Sequence, residues 1–272
     1  MMMENTLKYS IVVPCYNSEI FLETLCEQVY EAFEKDFELI LVNDFSSDET
    51  KKKIFELKDT YSFIKGFSFP KNLGQIAATV FGISKAEGKI TITIDDDLQH
   101  NIQSFKILEN LLSSENKDII VATWKTDETF VRNISSTIFR ILSSLIILKK
   151  TNFRNTAFRM FKGKYNKDIS EYFCSRFWFD PRRIFQPHKV GQVNVDHFLQ
   201  FNRPQSSFRS RMALALKHIL LDSYLINLII TIFIFFDLRF ILIFLFYYLI
   251  QLAIRVQTKR KRIRIFNKAT EI

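Results

Sequence analysis

Short apolar runs separated by helix-length amphipathic segments fill the first 122 residues, and this alternation constrains the fold more than any other feature. Tyr9–Cys15 (YSIVVPC) reads as a buried strand, apolar and stopped by Pro14. Residues 18–35 carry Ile20, Leu22, Leu25, Val29 and Phe33 at helical spacing, with Ser18 as the expected N-cap. Residues 37–42, 63–69, 89–94 and 118–122 read as four more strands. Residues 47–57, 74–86 and 102–112 read as the helices between them. Strands alternating with helices of this length predict a mostly parallel α/β sheet covered on both faces. Ligands of such sheets bind outside the carboxyl ends of the strands. The polar clusters Tyr16-Asn17, Asn43-Asp44 and Asp95-Asp96-Asp97 fall at those ends, so residues scattered in sequence should converge in space.

Charge divides the chain in two. Residues 1–123 hold 12 Lys, no Arg and 20 Asp plus Glu, a net of −8; residues 124–272 hold 26 Lys plus Arg and 9 Asp plus Glu, a net of +17, which together give the overall +9. The basic half suits an anionic membrane, a phosphorylated substrate or nucleic acid. Its apolar content selects among these. Residues 219–236 are apolar except for Asp222, Ser223, Asn227 and Thr231, and residues 240–254 are almost wholly so. A bilayer core needs about 20 helical residues. One long helix would centre Asp237 and Arg239 in lipid, so a hairpin of two membrane helices over 216–255 is expected, with Asp237-Leu238-Arg239 at its turn. The basic residues 256–272 then form a cytoplasmic tail by the positive-inside rule, with the N-terminal domain on the same side. The expected location is the cytoplasmic (inner) membrane, multi-pass, with a cytosolic catalytic domain. Membrane lipids are the expected contact and nucleic acid is not. The N-terminus carries no signal-peptide pattern, and Cys15, Cys26 and Cys174 read as free thiols. Residues 130–148 form an amphipathic pattern that suits either a core helix or one lying on the membrane surface.

Three consecutive carboxylates at a strand end repel one another unless a divalent cation sits between them. Oxygen ligands from Asp95, Asp97 and Gln99 suit Mg²⁺ or Mn²⁺ rather than zinc. If strand geometry continues, Asp95 and Asp97 share a face and Asp96 points elsewhere.

The segments IVVPCYN (11–17), LVNDFSSDET (41–50), NLGQIAA (72–78) and DDDLQH (95–100) resemble, in order and spacing, family 2 glycosyltransferases of the GT-A fold. The Asp-x-Asp-Leu-Gln-His form resembles the polyprenyl-phosphate branch, which contains dolichol-phosphate mannosyltransferases and the bacterial enzymes that load undecaprenyl phosphate. The similarity runs from about Lys8 to about Phe208. It implies a nucleotide-diphosphate sugar donor and a polyprenyl phosphate acceptor, with inversion at the anomeric carbon. Pro14, Tyr16, Asn17, Asp44, Asp48, Asn72, Gly74, Asp95 and Asp96 are the implied nucleotide-side residues. Asp95, Asp97 and Gln99 are the implied metal and diphosphate site. Asn43 stands where the family usually has aspartate. NTAFRMF (155–161) resembles the family's Asp-x-x-x-Phe-Arg segment, with Asn155 near its acid. Residues 195–208 resemble His-x-x-Arg-x-x-Gly-x-Ser through His197 and Arg203. Arg132, Arg159 and Arg203 are the expected cations for the acceptor phosphate. The expected domains are 1–123 for nucleotide and metal, 124–215 for the acceptor, then the hairpin and tail; self-association is left open. Two other readings stay open. One is transfer to a sugar hydroxyl, with Asp96 as a candidate base; the other is a non-catalytic membrane protein with a retired transferase domain.

Overall fold

The computed structural model describes residues 7–124, 154–174, 179–196, 198 and 240–272. The expected helix at 130–148, the apolar stretch 219–236 and the residues Arg132, His197, Arg203 and Asp237 to Arg239 lie outside them.

The alternation produces the elements β1 (Tyr9–Cys15), α1 (Leu22–Phe33), β2 (Phe37–Asn43), α2 (Thr50–Thr60), β3 (Ile64–Ser68), α3 (Gln75–Ser84), β4 (Ile90–Thr93), α4 (Phe105–Ser114) and β5 (Ile119–Thr123). The chain then adds β6 (Arg159–Lys162), α5 (Asn166–Phe173), β7 (Val190–Asn194), the long helix α6 (Phe240–Phe266) and the short strand β8 (Thr270–Glu271). The eight strands join one sheet of order β7-β5-β6-β4-β1-β2-β3-β8. The pairs β1·β2, β1·β4, β2·β3 and β5·β7 are parallel, whereas β6 and β8 run antiparallel to their neighbours. Because β1 and β2 are covered on both faces, every residue of both is buried.

Pro14 does not stop β1, which pairs with β2 through Cys15↔Asn43. Pairing with β4 does end there, at Val12↔Thr93: Ile94 N still donates to Val12 O at 3.2 Å, and Pro14 has no N–H to make the next bond of that ladder. Ser18 is not the N-cap of α1 either. The helix starts at Leu22 after a turn, Phe21 takes the cap position without a side-chain bond, and the Ser18 hydroxyl is used elsewhere.

Two apolar clusters fill the two faces of the sheet. One joins α1, α4 and the β1–β2 face carrying Ile11, Val13, Leu39 and Leu41; the other joins α3 and α5 to Val12, Ile40 and Val42. Helix α3 approaches β1 at Gly82, where an added Cβ would lie 2.4 Å from Val12 Cγ1. Val12 is fully buried and stiff at χ1. Gly82→Ala is therefore expected to destabilise the fold by ~1–3 kcal/mol through overpacking, read as a lower urea midpoint with unchanged slope.

The C-terminal region differs most from expectation. One 27-residue helix runs from Phe240 to Phe266, straight through the expected boundary between apolar stretch and basic tail at 255/256. Among the described residues no helix is long and apolar enough to cross a membrane. Gln251, Arg262 and Ile265 are buried; at spacings near whole helical turns they fall on one face of the helix, which turns inward. Ile265 enters the α3–α5 core, Phe266 stacks on Phe69 at 5.7 Å and meets Phe81 edge-on at 5.1 Å, and β8 pairs with β3. The last turns of the basic segment are thus part of the sheet domain, because apolar residues spaced among the charges have a core to enter.

Candidate active site

The carboxyl ends of β1, β2 and β4 lie side by side, and the loops leaving them interlock through short polar side chains. Asn43 is 2% exposed and crosslinks its neighbourhood, donating to Ser68 Oγ at 2.9 Å and accepting from Ser46 N at 3.1 Å. Asn17, at φ 51°, accepts from Ser47 N at 2.9 Å and ties the first loop to the second. Asp48 accepts from Thr50 N at 3.1 Å and Glu19 N at 3.3 Å, which fastens the start of α2 to the loop before α1. An ionised side chain accepting backbone amides in this way is worth more than a neutral pair. These bonds hold the loops against the loss of conformational freedom that an open loop cluster would otherwise retain.

Asp44 organises the third loop. Its two carboxylate oxygens accept from Leu73 N and Gly74 N, each at 2.7 Å, and its carbonyl accepts from the Asn72 side chain at 3.1 Å. Gly74 sits at φ 88°, a backbone conformation that L side chains rarely adopt, and caps α3. Burial pushes the Asp44 carboxyl up to about 6, while the two backbone amides and the field of Arg262 pull it down.

The acidic triplet follows β4, which ends at Thr93, so strand geometry does not continue through it. The chain bends instead. Asp97 accepts from Gln99 N at 3.2 Å and Leu98 takes a φ of 59°. Asp96 is 5% exposed and turns inward, accepting from Tyr16 N at 3.0 Å and from the Ser18 hydroxyl. Asp95 and Asp97 stay partly exposed. Asp95 accepts from the Gln75 side chain and lies 3.4 Å from His100 Nε2. His100 packs against Trp124 and Phe158, both at 5.4 Å between ring centroids.

Two cavities meet here. The larger, about 750 Å³, is lined by Pro14, Tyr16, Asn17, Asp44, Asn72, Gly74 and the triplet Asp95 to Asp97. The smaller, about 390 Å³, is lined by Asp95, Asn155, Arg159, Phe179 and Arg262, and it shares Gly74, Gln75 and Asp95 with the first. Asp48 and Gln99 line neither. Arg159 is 8% exposed, bonded weakly to Asn155 Oδ1 at 3.3 Å and stacked over the Phe179 ring at 4.4 Å. Burial lowers it to about 10, and the fields of Asp95 and Asp180 raise it. Asp180 itself is taken by Arg182 at 2.7 Å, a buried pair on the far side of Phe179 in sequence. Among the described residues no group of three or more His, Cys, Asp or Glu could hold a metal by itself. An ion could sit here only if ligands from outside the chain completed its shell, and the partly exposed Asp95 and Asp97 are the carboxylates that could hold it.

Most of the larger cavity's polar wall is named from sequence; Gln75, which lines both cavities, Arg262, which lines the smaller, and Ser18, which bonds Asp96, are not. The signal for Arg262 lay in the apolar spacing of Ile265 and Phe266 among charges. His100 stands five residues after Asp95, a spacing that implies a contact only once the chain bends at the triplet.

A sheet of this order with an acidic turn at the end of β4 and a nucleotide-sized crevice beside β1 defines a GT-A-type α/β domain. Solved structures agree on the fold. Glucosyl-3-phosphoglycerate synthase from Mycobacterium tuberculosis, in complex with Mn²⁺, uridine-diphosphate-glucose and phosphoglyceric acid, matches with a TM-score of 0.58 at 16% identity over 78% of this chain and 77% of that one. Mannosyl-3-phosphoglycerate synthase from Rubrobacter xylanophilus matches at 0.55 and 14% identity, over 77% and 70%. The family model for glycosyl transferase family 2 matches residues 10–179, and the chain belongs to that family. Among curated relatives, a dolichyl-phosphate beta-glucosyltransferase of Trichomonas vaginalis is 28% identical over 69% of this chain and 64% of its own length. The putative glycosyltransferase CsbB of Bacillus subtilis is 29% identical over 48% and 40%, and the undecaprenyl-phosphate 4-deoxy-4-formamido-L-arabinose transferase of Proteus mirabilis is 36% identical over 36% and 31%. The chain spans less than two thirds of the length of each of these three relatives.

Proposed function

We propose that this chain transfers a sugar from a nucleotide-diphosphate sugar to a polyprenyl phosphate, with inversion, at the cytoplasmic face of a membrane. The observation that carries the reading is the pair of adjoining cavities that share Asp95. The larger has the size to take a nucleotide, and the smaller is lined by the buried Arg159 and Arg262, which suit an anion. Relatives named for dolichyl phosphate and undecaprenyl phosphate support the acceptor class. A Mn²⁺ complex among the fold neighbours supports the metal.

Asp95 and Asp97 would hold Mg²⁺ or Mn²⁺, which when bound stabilises the negative charge of the departing nucleoside diphosphate. Pro14, Tyr16, Asn17, Asn72 and Gly74 shape the nucleotide side, and Asp44 and Asp96 brace its loops from behind. A phosphate acceptor is already anionic at neutral pH, so it attacks without a strong base and needs cations to place it. Arg159 is the described residue of the expected set that does so. Asp96, tied to Tyr16 and Ser18, does not suit the base that a hydroxyl acceptor would require. Membrane contact is supported by the exposed Phe246, Leu249, Ile250 and Leu252 of α6.

The test incubates membranes holding the protein with a panel of nucleotide sugars and polyprenyl phosphate, with and without EDTA. One sugar should become lipid-linked, and EDTA should lower transfer by at least about tenfold, since metal loss removes the charge stabilisation of the leaving group. EDTA-resistant transfer overturns the metal assignment; transfer confined to saccharide hydroxyls overturns the acceptor.

A further inference from the structure

We infer that Gln75 reads a hydroxyl of the transferred sugar, through an amide oxygen presented where the two cavities meet. The inference rests on the transfer reading above, which supplies the sugar; the geometry of the amide does not depend on it.

Transfer places the anomeric carbon between a leaving diphosphate and an attacking acceptor, with reacting atoms about 3–3.5 Å apart. With the nucleotide in the larger cavity and the acceptor in the smaller, the sugar lies where the two join. Among the described residues three line both cavities: Gly74, Gln75 and Asp95. Gly74 has no side chain, and Asp95 is the carboxylate proposed for the metal. Gln75 is the neutral polar side chain at the junction, and it is exposed.

Its contact fixes which way the amide faces. Nε2 donates to Asp95 Oδ1. An ionised carboxylate only accepts, so the flipped amide would set oxygen against oxygen. Oε1 is thus turned away from Asp95, and among the described residues it accepts no hydrogen bond. An amide oxygen there accepts a hydroxyl proton but is far too weak a base to remove it, so it selects the sugar without entering the chemistry. The backbone beneath is held firmly. Asp44 accepts from Gly74 N at 2.7 Å, and Gly74 O accepts from Ala77 N at 2.9 Å and Ala78 N at 3.2 Å. Gln75 O accepts from Thr79 Oγ1 at 2.9 Å, and Ala77, Ala78 and Val80 anchor this turn of α3 in the core. A reading group mounted on a fixed element discriminates better than one on a loose loop.

The experiment uses the full chain in detergent with Mn²⁺, with binding read by calorimetry and folding by thermal unfolding. The probes are UDP-, GDP- and dTDP-hexoses, the singly deoxygenated forms of the hexose donor that binds, and the matching sugar-free nucleoside diphosphate. In wild type, loss of one particular hydroxyl should weaken binding about three- to tenfold, the worth of one hydrogen bond. Q75M keeps the length of the side chain without its polar atoms, and at this exposed position it should unfold at the wild-type temperature. It should weaken the parent donor by the same factor, yet bind that deoxy donor and the sugar-free nucleotide within about twofold of wild type, because the two deletions remove one interaction. Equal discrimination among the deoxy donors by wild type and Q75M overturns the inference. So does a loss of sugar-free nucleotide in Q75M as large as its loss of donor, which would make Gln75 a support for Asp95 alone. Coupling between Gln75 and one hydroxyl in a chain that glycosylates no polyprenyl phosphate removes the transfer reading and leaves the sugar contact. Glycosylation of polyprenyl phosphate without that coupling does the reverse, and a chain that binds none of the hexose donors removes both.

Discussion

Replacing Asp95 with asparagine is expected to lower sugar transfer by more than about a hundredfold, beyond the 10–100-fold typical of losing a residue that merely supports a metal ligand. Among the described residues Asp95 is the one carboxylate that lines both cavities. It would hold the metal under the diphosphate, and its field offsets the burial of Arg159 on the acceptor side. The substitution is isosteric and the side chain is 27% exposed, so the stability cost should be about 1 kcal/mol or less. Asp96→Asn makes the comparison informative. Asp96 is buried behind the first loop, and one carboxylate oxygen, Oδ2, accepts from both Tyr16 N and the Ser18 hydroxyl; a neutral amide oxygen in its place accepts the same two bonds more weakly, because the charge is gone. That variant should lose stability before it loses chemistry. Steady-state rates of both variants with saturating donor, beside their unfolding midpoints, read the difference. An Asp95→Asn enzyme within about tenfold of wild type would remove Asp95 from the metal site, since a metal ligand is worth at least that.

The sheet was legible because its strands are apolar runs bounded by turn-forming residues while its helices repeat near 3.6 residues, and the two periods do not mimic each other. Residues that share no local pattern were not. Asp96 meets Tyr16 and Ser18 from about eighty positions away, and nothing near DDDLQH announces a bend that buries the middle carboxylate. The alternation of Asp95 and Asp97 outward with Asp96 inward matches what a strand would give, yet β4 has already ended at Thr93 and the turn at Leu98 produces it. Composition also misleads where charge dominates. Residues 256–272 read as a basic cytoplasmic tail, but burial is decided by the side chains at 251, 262 and 265, one of them an arginine. Strand β8, two residues long, has no sequence signal at all and exists because β3 offers an open edge.

Donor affinity is expected to fall as pH drops through about 6, with Asp44 as the cause. Its folded carboxyl is raised from 3.8 to about 6, first by burial. Between those values the folded chain holds a proton that the unfolded chain has released. For a raised carboxyl the contribution to stability is therefore fully present below 3.8 and is lost as pH rises through about 6. Binding has the opposite sign. Ionised Asp44 accepts from Leu73 N and Gly74 N; protonation turns one acceptor into a donor facing an N–H, and the loop at Gly74 that walls both cavities is released. Donor affinity should thus weaken by up to about tenfold per pH unit below the midpoint, as one coupled proton requires, while this group's share of stability rises. The ligand's own phosphates titrate in the same range, so the readout is the difference between wild type and Asp44→Asn. The asparagine variant cannot ionise, and it should bind the donor weakly with a flatter pH dependence. Calorimetric titrations from pH 5 to pH 7.5 that show the same slope for both proteins would remove Asp44 as the switch.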